Sequence, residues 1–190
     1  LRGAGLAATL AVLATAGSTV PLLRKVSVLG VRSGDGPQGI PINKSALAAG
    51  VTELARDPGY RLTIVHDGRE TTWSRDDLAA LPQTAADLPI ACVEGWSAQG
   101  RWAGVRLRDL LDRVGAPHGR DLRIESLQPN GPFRTTTMPA RFADDPLTLL
   151  ALSLGGEELS LDHGYPARVI APDRPGVLQT KWVARIEVLA

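Results

Sequence analysis

Turn-forming residues set the length of every element this chain can build. The 190 residues include 20 Gly and 14 Pro, which predicts short elements and many turns rather than long helices. Residues 61–65 alternate and are rich in β-branched side chains. Asp67-Gly68 then supplies a hairpin turn into a second strand over 70–73. Ser74 is placed to cap a helix over SRDDLAAL, where Asp76 and Asp77 in the first turn suit the helix dipole and Pro82 ends the run. Ser45 likewise caps a short helix over 46–49 that stops at Gly50. An apolar strand over 88–93 runs through Cys92, and residues 105–114 place Leu107, Leu110, Leu111 and Val114 on one helical face before Gly115. Further strands are predicted over 122–127, 133–138, 147–154, 167–171 and 181–189. Strands with irregularly interspersed helices predict an α+β fold with mixed β-sheets. No Gly-rich dinucleotide fingerprint follows any strand.

A net charge of +1 argues against a nucleic-acid-coating role, which needs a basic surplus. With one cysteine, no intrachain disulfide can form, and His66, His118 and His163 lack the close spacing of a structural zinc site. From Gly3 to Leu23 there is no charged residue, close to the roughly 20 apolar residues that cross a bilayer as a helix. Residues 1–25 are therefore read as a membrane-spanning or signal-like segment, with membrane contact through residues 3–23. Residues 26–40, which include SGDGPQG, read as a linker, and 41–190 as the folded domain.

Cys92 stands at the end of an apolar strand, where a side chain is well held yet opens onto a loop. The following GWSAQGRWAG carries three Gly and two Trp in a chain that is only 4% aromatic. As a loop it brings backbone amides and flat apolar surface to a bulky planar ligand. The residues alone leave two other readings open: Cys92 as apolar filler, and the loop as surface with a packed Trp.

Two separated stretches carry a resemblance. PIACVEGWS followed by WAGVRLRDLL is similar to the metal-ligand segment of the sulfite oxidase superfamily. GGEEL, DHGYPAR and GVLQTKWVARIEV resemble that family's cofactor-binding C-terminal half. The resemblance spans roughly residues 40–190 and implies a sulfite oxidase-type fold that binds molybdenum with molybdopterin. It implies that Cys92 is the metal-ligating, catalytic thiolate, a soft ligand suited to a metal already bound by sulfur. Arg168 and Lys181 are then the candidates for the pterin phosphate, the first as a planar fork and the second as a point charge. His163, Asn43 and Glu94 complete the implied cofactor-binding set.

Within the family, CVEGWS looks more like the bacterial periplasmic methionine sulfoxide reductase catalytic subunit. Sulfite oxidases follow the cysteine with a basic segment suited to an anion. The resemblance implies two-electron oxygen-atom transfer to or from a small-molecule or methionine-sulfoxide-type substrate. It also implies a membrane haem partner as electron donor, and a place on the extracytoplasmic side of the membrane, either tethered by the N-terminal segment or exported. The chain has no haem-attachment motif of its own. Sulfite oxidation, a cofactor-free binding module with the same fold, and a thiol-based redox protein using Cys92 directly are the alternatives.

Overall fold

The computed structural model describes residues 36–92 and 95–190. The N-terminal apolar segment, most of the predicted linker, and Glu94 lie outside them. Among the described residues no helix is long and apolar enough to cross a membrane.

The alternating segment forms β1 (Arg61–His66), joined through Asp67 and Gly68 to β2 (Arg69–Ser74). Both turn residues have positive φ, 49° and 72°, as a tight hairpin turn requires. Helices α1 (Ala46–Ala49) and α2 (Thr52–Arg56) precede this hairpin, and α3 (Arg75–Ala80) follows it. Ser74 caps α3 reciprocally: Asp77 N–H donates to Ser74 Oγ at 3.1 Å, and Ser74 N–H donates to the Asp77 carboxylate at 2.9 Å. The remaining elements are β3 (Thr84–Ala91), β4 (Ser97–Arg106), α4 (Leu107–Arg113), β5 (Leu122–Ser126), β6 (Thr135–Met138), α5 (Ala140–Ala143), β7 (Leu149–Leu154), β8 (Glu157–Glu158), β9 (Arg168–Ile170) and β10 (Val183–Val188). The result is the α+β fold of mixed sheets that the sequence predicts.

Two sheets form. One has the order β2-β1-β10-β5-β6, with β1 and β10 parallel and the other neighbours antiparallel. The other runs β3-β4-β7-β8, with β9 also pairing β7. Leu62, Ile64, Ile124 and Ile186 of the first sheet share a core with Val105, Leu150, Leu152 and Val169 of the second. Alternate residues of β7 point the other way, so Leu149 and Ala151 join Leu88, Ile90, Trp102 and Ile40 in a second cluster. Strand β7 is thus buried on both faces. A third cluster packs Ala46, Ala49, Val51 and Ala55 around Trp182.

The largest departure from the sequence reading is β4. Most of the stretch read as a Gly-Trp loop lies in the ten-residue strand β4, whose Ser97–Gly104 pair with β3. Val105 and Arg106 belong to it, so helix α4 begins at Leu107. The glycines are there for close approach. A Cβ on Gly104 would stand 2.0 Å from Leu150 O, and one on Gly100 would stand 2.7 Å from Ile40 Cδ1. Gly104→Val is therefore expected to cost roughly 3 kcal/mol of stability, read as a fall in the urea midpoint. Pro89 is tolerated because β3 is an edge strand. At the end of the predicted linker, Ile40 is buried, and the Gln38 amide donates to Leu154 O and Glu158 O, each at 3.0 Å. Residues 36–40 therefore pack on the domain.

Candidate functional site

The hairpin joining β3 to β4 is closed at its base by Cys92 N–H donating to Trp96 O at 2.8 Å, and Gly95 N–H donates to Cys92 O at 3.0 Å. Gly95 has φ 87°, the left-handed geometry such a turn needs. The Ala91–Cys92 backbone rests on a 3-10 turn over Gly176–Leu178, where a Cβ on Gly176 would fall 2.5 Å from Ala91 O. Backbone packed on backbone holds the half-buried Cys92 in place.

The chain then runs from this turn through Gln179, Thr180 and Lys181 into β10. Thr180 O accepts Val169 N–H at 2.9 Å, and Val183 N–H donates to Ala167 O at 2.9 Å, which ties the segment beside β9. Trp182 takes φ 54°, lies fully buried, and donates its indole N–H to Leu161 O at 2.7 Å. Strand β10 starts at Val183, two residues later than the predicted strand. Lys181 is thereby left out of the ladder and lines a cavity.

Arg168 opens β9, stacks 4.8 Å from the Trp102 ring and donates to His163 O at 3.1 Å. It is fully enclosed, and its Nε has no hydrogen-bond partner. Burial pulls its pKa down to about 9, so it keeps its charge at neutral pH. The Lys181 ammonium donates to Lys44 O and Asp162 O and sits 4.6 Å from the Trp182 ring. Burial first, and then the Arg168 charge, bring its pKa down to about 7. Gly164, at φ 113°, lets these two side chains converge: a Cβ there would be 3.0 Å from Arg168 Cβ and 3.1 Å from Lys181 Cβ.

His163 is buried, with Nε2 2.7 Å from Pro37 O. A carbonyl only accepts, so Nε2 carries the proton. Burial lowers the pKa to about 4, which keeps the ring neutral and leaves Nδ1 as an acceptor. The unfolded chain then binds more protons than the fold between about pH 4 and 6.5. His163 is expected to cost stability as pH falls from 6.5 to 4, with no further loss below that. Urea midpoints measured across this range should show a slope that His163→Gln loses.

Asn43, Cys92, His163, Arg168 and Lys181 all line one cavity of about 130 Å³. Five of the six residues singled out in the sequence therefore converge, and the sixth, Glu94, lies outside the described residues. Asn43 is on the exposed side. Among the described lining residues there is no Asp or Glu, while Lys44 adds a third cation.

The model of the oxidoreductase molybdopterin-binding domain family matches residues 49–190. The chain belongs to this family. A putative protein-methionine-sulfoxide reductase subunit, YedZ1, of Azospira oryzae is 34% identical over 61% of this chain and 43% of its own length. Mitochondrial sulfite oxidase of Drosophila melanogaster is 30% identical over 68% of this chain and 27% of its own length. The sulfane dehydrogenase SoxCD from Paracoccus pantotrophus superposes with a TM-score of 0.61 at 24% identity, over 84% of this chain and 45% of that one. The last likeness shows the shared fold. The chain spans less than half the length of each of these relatives.

The residues present fit the family's cofactor. Molybdopterin combines sulfur donors, a planar pterin and a phosphate. The cavity offers a thiol in Cys92, an acceptor-bearing neutral imidazole in His163, and two buried basic side chains, Arg168 and Lys181, with no Asp or Glu among the described lining residues. The partnerless Arg168 Nε is a donor in want of an acceptor. Among the described residues no three His, Cys, Asp or Glu side chains converge on a metal site, and Cys92 supplies the cavity's thiol.

Sequence reasoning missed Lys44 and Gln128, which meet in the cavity wall with Nζ and Oε1 2.7 Å apart. Lys44 follows Asn43 directly, and that adjacency was the available signal. Gln128 sits in a Gln-Pro-Asn-Gly run that reads as a turn. Gln179 and Thr180, which the sequence reading did not single out, also line the cavity.

Proposed function

We propose that this domain binds molybdenum with molybdopterin, Cys92 ligating the metal, and that it reduces an uncharged sulfoxide or similar oxide. The observation that carries the reading is one cavity holding the Cys92 thiol together with buried Arg168 and Lys181, with no Asp or Glu among its described lining residues. Arg168 and Lys181 hold the phosphate, His163 and Asn43 contact the pterin, and Glu94 is the remaining cofactor-binding residue. When bound, the cofactor supplies two-electron redox chemistry coupled to oxygen transfer. In the overall reaction a sulfoxide takes up two electrons and two protons. Its S–O bond breaks, leaving a thioether and water. The chain's own residues fix the cofactor and exclude water from the phosphate end.

A relative named for a protein-methionine-sulfoxide reductase supports the substrate. Electrons come from a membrane haem partner, and residues 3–23 keep the domain on the extracytoplasmic side. A second reading, sulfite oxidation, draws on the sulfite oxidase relatives and on Lys44 as an extra cation in the cavity. The two run electrons in opposite directions. The cofactor-loaded protein should oxidise a reduced viologen dye when given methyl p-tolyl sulfoxide, and should leave ferricyanide unreduced when given sulfite. Turnover of sulfite alone overturns the reading.

A further inference from the structure

We propose that the loop between β5 and β6 is the substrate-selecting rim of the cavity, and that Phe133 on it favours a methyl sulfoxide bearing an apolar aryl or alkyl group. The inference deepens the sulfoxide reading and rests on it. Phe133 lines the cavity and is nonetheless 44% exposed. A single exposed aromatic is ordinary on a protein surface, so the position and the rigidity of this one carry the argument. The chain's other phenylalanine, Phe142, packs against the core under the Arg141 and Arg174 guanidinium groups, at 4.5 and 5.4 Å. Phe133 instead borders the space that Cys92 and Trp96 also line.

The loop is braced at both ends. Arg134 Nε donates to Gln128 O at 3.0 Å, Arg134 N–H donates to Gly131 O at 3.1 Å, and Ser126 N–H donates to Arg134 O at 2.8 Å. Gly131 at φ 115° makes the reversal, and Pro129 and Pro132 restrict the chain on either side of it. The Lys44 ammonium is held by Gln128 Oε1, on the same loop. An aromatic ring on a stiff loop offers apolar contact at little ordering cost. The inner wall of the same cavity is cationic, so the rim and the wall suit chemically different parts of what binds there.

The test uses cofactor-loaded wild type, F133A and F133L, each checked for equal metal and pterin content. Methyl p-tolyl sulfone, which mimics the sulfoxide's shape, is titrated against the fluorescence of the cavity tryptophans. Dimethyl sulfone is the small control. F133A is expected to weaken p-tolyl sulfone binding about 10-fold or more and to leave the dimethyl probe unchanged. KM for methyl p-tolyl sulfoxide should rise in parallel at unchanged kcat, with F133L between. If wild type reduces sulfoxides and F133A treats the large and small compounds alike, the rim assignment is overturned while the function stands. If wild type reduces no sulfoxide, the function fails, and the sulfone titration alone decides the rim. An unchanged affinity there overturns it.

Discussion

Cys92→Ser, produced alongside an intact cofactor pathway, is expected to fold as the wild type does and to lose turnover by more than about 100-fold. Changes outside the direct ligands of a metal already cost roughly 10–100-fold, and replacing a soft thiolate by a hard hydroxyl removes the ligand itself. The fold should tolerate the exchange. Cys92 is half-buried in a hairpin whose bonds are made by the backbone: its N–H to Trp96 O, and its carbonyl from Gly95 N–H. Equal urea midpoints for the two apoproteins, a changed metal spectrum and lost turnover are the expected set. Full activity in the serine variant would remove Cys92 from the chemistry.

Lys181→Met should cost the protein its hold on the cofactor. Truncating one member of a buried charge pair typically costs 2–5 kcal/mol, or roughly 30-fold to several thousand-fold in affinity. In the apoprotein, burial and the Arg168 charge hold Lys181 down to about 7. A phosphate dianion beside it restores the ammonium. Binding therefore takes up a proton above about pH 7, and affinity should fall as pH rises beyond that point. The methionine variant should lack this fall. Arg168→Met should lose affinity on a similar scale, and because the Arg168 charge helps hold Lys181 down, the fall with pH should begin at a higher pH than in the wild type. Pterin release from the purified holoproteins, followed by fluorescence across pH 6–9, checks both. Release rates equal to wild type would place the phosphate elsewhere.

What the sequence made legible follows the range of the forces involved. The β1–β2 hairpin and the Ser74 cap are set within a few residues, by Asp67-Gly68 and by the Ser74–Asp77 exchange. They were readable from the residues alone. Cys92, His163, Arg168 and Lys181 were readable because each sits in a distinctive run, although 70 residues separate Cys92 from His163. Strand β4 was hidden because Gly100 and Gly104 look like turn signals. The reason for them lies in Ile40 and Leu150, which are remote in sequence. Phe133 and Lys181 were both expected inside strands. The pairing of β5 with β6, and the departure of Trp182 into positive φ, leave them on the cavity wall instead. Lys44 and Gln128 became part of the site only once the segment before α1 was laid against the loop after β5.

The most direct test of the central claim is the molybdenum and pterin content of the purified wild-type domain, expressed with a working cofactor pathway. The expected result is near-stoichiometric metal and pterin, with the pterin lost from Lys181→Met. A well-folded wild-type protein that carries neither would contradict it, and would favour a binding module that keeps the fold without the chemistry.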